Sequence, residues 1–180
     1  MEPTIQAKSE VSSFPNFIKL KYITVILCAD IMFVNGVKNF MTIYRHIGFG
    51  TSENITNAKT ATLLQSLLQV NCLYKRRGFK IQHFMMDGQF EPIKANAENA
   101  RIAVNTTSRD EHEPVIERYI RTIKDRSRSV WSTLPLKKVP VRMIIELVAT
   151  SVFGFHCFPR HDGISTTMSS REIITGMTLE

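Results

Sequence analysis

Tyr22-Ile23-Thr24-Val25-Ile26-Leu27-Cys28-Ala29-Asp30-Ile31-Met32-Phe33-Val34-Asn35-Gly36 is the stretch that decides the fold. It is rich in β-branched and aromatic residues and stops at Asn-Gly, whose tolerance of positive φ suits the tight turn of a hairpin. A strand, a two-residue turn and a partner strand from Val37 to His46 are therefore expected, with a third strand at about Phe49 to Ile55. From Asn57 the apolar period changes to that of a helix. Leu64, Leu67, Leu68 and Cys72 mark one side, widened by Leu63, Val70 and Tyr74, and Lys75-Arg76-Arg77-Gly78 supplies a basic last turn and a glycine stop. Lys80 to Met86 reads as a fourth strand ended by Asp87-Gly88, residues 90–101 as a short helix, and Ile102 to Thr106 as a fifth strand. Pro114 opens a long helix to about Thr133, where its missing N–H is harmless. Pro140 opens another that Pro159 ends, and Ser169-Ser170-Arg171-Glu172 fits a capping box ahead of a short helix stopped by Gly176. A meander followed by helix-separated strands defines an α/β fold with a mixed five-stranded sheet flanked by helices.

The chain has 180 residues, a length that suits one domain with a substantial core. The expected division is a polar segment over 1–20, a core over 21–160 and an extension with a short helix over 161–180. With 43% hydrophobic and 22% charged residues it has the composition of a globular protein. Asp30 interrupts the apolar run from Ile23 to Val34, and Arg142 with Glu146 interrupts that from Val139 to Phe158, so neither supplies the roughly 20 apolar residues of a spanning helix. Met1 to Glu10 lacks the apolar centre of a signal peptide, and its two glutamates do not suit a mitochondrial presequence. Three cysteines, Cys28, Cys72 and Cys157, are too few and too far apart for a disulfide framework. An intracellular, soluble protein is expected.

Twenty-three Lys and Arg against 16 Asp and Glu give a net charge of +7. Arg118, Arg121, Lys124, Arg126, Arg128, Lys137, Lys138 and Arg142, with Asp125 as the one acid among them, account for all of it. Positive charge so concentrated is the footprint of a polyanion ligand, most often nucleic acid, and equally suits a solvated helix face.

Against that background three acids stand out. Asp30 shares a strand face with Cys28 and Met32 in a run apolar on both faces, where a carboxylate is costly without a partner or a metal. Asp87 ends a strand that a helix follows, at the carboxyl edge where ligand sites of open α/β sheets gather, although Asp-Gly is also ordinary turn chemistry. Glu117 opens the basic helix, a position that also suits simple dipole complementarity. It heads a stripe with Arg121, Lys124 and Arg128, separate from the apolar stripe Ile116, Tyr119, Ile120 and Ile123. Carboxylates on two strands and one helix are what two-metal phosphoryl transfer requires, since hard cations take oxygen ligands.

Ala29-Asp30-Ile31-Met32-Phe33-Val34-Asn35-Gly36, Met86-Asp87-Gly88-Gln89-Phe90-Glu91, the segment from Asn105 to His112 and Ile116-Glu117-Arg118-Tyr119-Ile120-Arg121-Thr122 resemble the integrase core of copia-type LTR retrotransposon polyproteins. The resemblance spans nearly all of residues 20–178, including Ser170 to Gly176. It implies a ribonuclease-H-like fold and a D,D,E site binding Mg2+ or Mn2+, two ions together, with Asp30, Asp87 and Glu117 as catalytic and metal-binding acids. It also implies trimming of element DNA 3′ ends, joining of those ends to target DNA, a homo-oligomer and a nuclear location. Arg121 and Lys124 match positions that face DNA in such enzymes, and Arg128 of the same stripe and Arg118 of the same basic segment complete the expected nucleic-acid-binding set. The segment before the third acid, Arg109 to Pro114, departs from the usual neutral pattern and offers Glu113 as a rival to Glu117. The His/Cys zinc module and the reverse transcriptase of the family's polyproteins have no counterpart here, and His156, Cys157 and His161 are too few and too close for a zinc site. A fragment of an element is therefore expected, either an enzyme or a silent remnant that only binds nucleic acid. A nuclease for RNA–DNA hybrids fits poorly, because the helix from Asn57 to Gly78 contains no acid.

Overall fold

At the turn that opens the fold, Asn35 and Gly36 adopt φ of 46° and 80°, the conformation their dipeptide favours. In this computed structural model, which describes residues 16–106, 114–136 and 138–178, they join β1 (Thr24–Val34) to β2 (Val37–Tyr44). β3 (Phe49–Ile55) completes the antiparallel meander on β2. β4 (Lys80–Met86) pairs with β1 in parallel and β5 (Val104–Thr106) pairs with β4 in parallel, giving the order β3-β2-β1-β4-β5. Both helix-spanned crossovers thus produce parallel neighbours, as chain connectivity requires.

Alternation along β1 divides the core into two layers. Val25, Leu27 and Ala29 face one side, where α2 (Thr60–Arg76), a 3-10 turn (Gly88–Ile93), α3 (Lys94–Asn99) and α6 (Ser170–Thr175) cover the sheet. Cys28 and Met32 face the other, beneath α4 (Pro114–Thr133) and α5 (Val141–His156). Ile116, Tyr119, Ile120 and Ile123 of α4 are buried there, so the apolar stripe read from sequence is the packing face.

Several expectations need correction. The polar segment expected to run to residue 20 contains α1 (Asn16–Tyr22), whose Ile18 is fully buried in the core; residues 1–15 lie outside the described residues. The short helix expected in the C-terminal extension is α6, whose Ile173 and Ile174 are buried in that same core layer. Ser169 caps α6, accepting from Glu172 N–H at 3.1 Å, and Gly176 ends it at φ 76°. On α2 the buried residues are Leu63, Ser66, Leu67, Val70, Asn71 and Tyr74, whereas Leu68 and Cys72 face solvent. The helical face is therefore rotated from the one expected. The short helix begins as a 3-10 turn, and β5 starts at Val104 rather than Ile102. All three cysteines are free. Among the described residues no helix is long and apolar enough to cross a membrane.

Candidate functional site

The parallel pairing of β1 and β4 sets the two aspartates side by side. Cys28 registers with Met85 and Ala29 with Met86, so Asp30 and Asp87 follow as the next positions at the carboxyl end of both strands. Cys28 and Met85 both pack beneath α4 and α5, and alternation returns Asp30 and Asp87 to that same face. Asp87 keeps extended backbone at φ −69° and ψ 159° and caps the 3-10 turn, its Oδ1 accepting from Gly88 N–H at 2.7 Å. Asp30 is half-buried and its Oδ1 accepts from the Gln89 amide at 3.1 Å and from Ile31 N–H at 2.6 Å. Gln89 thus ties the end of β1 to the turn that follows Asp87.

Glu117 sits in the first turn of α4, beside buried Ile116, on the helix that lies across β1 and β2. Its side chain is exposed at the rim of the layer toward which the aspartates point. Among the described residues, no three His, Cys, Asp or Glu side chains form a group that could hold a metal ion. The fold therefore juxtaposes Asp30 and Asp87 and does not gather Glu117 with them into a preformed cage. In donor chemistry the three acids suit a hard divalent cation, because all offer oxygen alone. Glu113 and the rest of 107–113 lie outside the described residues, as does Lys137.

The basic residues follow α4. Arg118, Arg121 and Arg128 are exposed and Lys124 is half-buried. Asp125 pairs with Arg128 at 3.3 Å, so the segment's one acid neutralises the far end of the row. Two features escaped sequence reading. Arg45, Arg118 and Arg160, from three separate segments, line one cleft of about 370 Å³ on the other side of α4 from the Lys124 row. No local pattern connects them. The other is His156 at the end of α5. Its Nε2 accepts from Gly50 N–H at 3.2 Å and lies 3.3 Å from the Tyr119 hydroxyl, while Nδ1 faces the Ser170 hydroxyl at 3.3 Å. Because the amide can only donate, the imidazole proton belongs on Nδ1. Burial, reinforced by the Arg160 cation, lowers the His156 pKa from 6.5 to about 3. This histidine joins four elements and is unavailable as a zinc ligand.

No protein-family model and no curated protein matches the chain. Among solved structures, the catalytic core domain of BIV integrase is similar, with a TM-score of 0.59 and 15% identity over 83% of this chain and 92% of that one. At that identity the likeness is one of fold. The chain has the mixed five-stranded, helix-flanked architecture of a ribonuclease-H-like integrase core.

Proposed function

We propose that this chain is an integrase-type catalytic core, a divalent-metal-dependent polynucleotidyl transferase acting on DNA. The observation that carries the reading is the placement of Asp30 and Asp87 at adjacent carboxyl ends of two parallel strands, facing the layer of a basic helix headed by Glu117. Resemblance to copia-type retrotransposon integrases supports Asp30, Asp87 and Glu117 as the acids holding Mg2+ or Mn2+. When bound, such ions supply Lewis acidity to the attacking and leaving oxygens of a phosphodiester. The side chains do the rest. Gln89 orients the Asp30 carboxylate through its amide, and Arg121, Lys124 and Arg128 hold the DNA backbone over the acids, while Arg118 serves the strand from the cleft on the other side of α4. The substrates in this reading are element ends and target DNA, processed at the 3′ end and then joined, in a nuclear homo-oligomer. The domain in this reading takes in α1 and the C-terminal helix, both of which supply residues to the core.

A second reading is a remnant that binds nucleic acid without chemistry, a role for which the basic row along α4 suffices without any metal. Nicking of supercoiled plasmid separates the two. The parent protein should nick with manganese or magnesium and not with chelator, and Asp87→Asn should not nick. DNA binding without nicking in every condition selects the remnant.

A further inference from the structure

The stripe that begins at Glu117 does not end at Arg128. At 100° per residue, Glu117, Arg121, Lys124, Arg128 and Trp131 fall within about 80° of one another on the helix. Trp131 forms one wall of a groove of about 490 Å³, whose lining includes Val34 at the hairpin, Ile144 and Val148 of α5, and Lys124 and Arg128. An apolar floor, an aromatic wall and cations at one side match a planar ring bearing an anionic linkage. Trp131 is half-buried, with part of its surface open to the groove. Lys124 has no ion-pair partner among the described residues, whereas Arg128 is held by Asp125.

We infer that this groove is a subsite for an unpaired nucleobase, stacked on Trp131 while its strand's phosphates follow Lys124 and Arg121 back toward Glu117. The inference rests on the DNA-processing reading and adds a ligand subsite to it. Glu117 and Trp131 are 14 positions apart, about 21 Å at 1.5 Å rise per residue. At about 3.4 Å per nucleotide along a helical strand, that span is roughly six nucleotides. A paired base cannot enter a groove between a hairpin and two helices, because its edge is occupied and its faces are stacked. An unpaired base has a free face, and stacking on an aromatic side chain tolerates any sequence.

Trp131 is the chain's one tryptophan, so its fluorescence reports on this groove alone. The experiment titrates the full chain with a blunt duplex and with the same duplex carrying a six-nucleotide single-stranded end, at matched ionic strength. Affinity is read by anisotropy of labelled DNA and occupancy by tryptophan quenching. The expected result is quenching by the single-stranded end only, with about tenfold tighter binding than the blunt duplex. Trp131→Ala should bring the ratio of the two affinities to about one. Trp131→Phe, which keeps the ring, should retain part of it and guards against a folding defect in the alanine variant. Equal affinities without quenching overturn the subsite while leaving DNA binding intact. Equal quenching by both duplexes also overturns it. Failure of both duplexes to bind overturns the DNA-processing reading along with the subsite.

Discussion

Under the proposed function the Asp87 side chain does two things: it caps a turn and holds a cation. Asparagine keeps the first role, since its side-chain oxygen still accepts from Gly88 N–H, now 2.7 Å from Asp87 Oδ1. It removes the charge needed for the second. Nicking by Asp87→Asn should therefore fall by more than about 100-fold, beyond the cost of disturbing a metal's outer shell. DNA affinity should stay level or tighten by up to about fivefold, because a negative charge beside the phosphates is gone. Plasmid nicking and anisotropy on the same preparation check both, and a variant that nicks like the parent removes Asp87 from the site. Asp30 stands out in the sequence because a carboxylate within an apolar strand lacks an easy structural explanation, whereas Asp87 before Gly88 also reads as the turn cap that it is. Gln89 could not be read this way, since its partner Asp30 is 59 residues away. The role of His156 could not be read for the same reason: its environment is assembled from Gly50, Tyr119 and Ser170, and nothing next to it in the chain announces burial.

Elements are governed by period and by turn chemistry, and each is separately testable. Replacing both Arg121 and Lys124 with alanine removes two exposed or half-exposed cations from α4 without touching its buried stripe. The slope of log affinity against log salt should flatten by about 1.8 for duplex DNA, with weakening uniform across sequences. An unchanged slope would place the DNA elsewhere. In the β1–β2 turn, a Cβ on Gly36 would meet nothing within 4 Å, so its φ of 80° is the whole constraint. Gly36→Ala should cost about 1–2 kcal/mol in urea unfolding, and Gly36→Asn less, because asparagine tolerates that region. Equal costs would mean that φ is not what matters. Turn and proline signals placed Phe49–Ile55, Lys80–Met86 and Pro114–Thr133 at their observed ends. The packing face of α2 was less readable. Leu63, Leu64, Leu67, Leu68, Val70 and Cys72 together wrap more than half the helix, so the sheet's position, not the pattern, chooses Leu67 at 0% exposure over Leu68 at 43%. α1 was missed because a helix of two turns leaves almost no periodic trace.

At the scale of the whole molecule, the basic face and the core are linked through His156. It closes α5, accepts from β3 at Gly50, meets Tyr119 of α4 and faces Ser170 at the start of α6, so one neutral ring connects the basic helix α4 to the sheet and to the C-terminal helix. Protonation would deprive the Gly50 N–H of its acceptor and add a buried cation beside Arg160, with Arg126 also repelling it. The unfolded chain takes up this proton near pH 6.5 and the folded chain only near about 3. Between those values the unfolded state binds more protons, so stability is complete above pH 6.5 and is lost as pH falls. From pH 6.5 to 5, before most carboxylates titrate, this one group should remove roughly 1–2 kcal/mol. Urea midpoints at pH 7, 6 and 5 for the parent and His156→Gln measure it. Glutamine loses the ring's contacts and should lower stability at pH 7, yet its midpoint should hardly move on acidification. If both proteins lose the same stability over that window, the proton is taken up elsewhere and His156 does not set the acid limit of the fold.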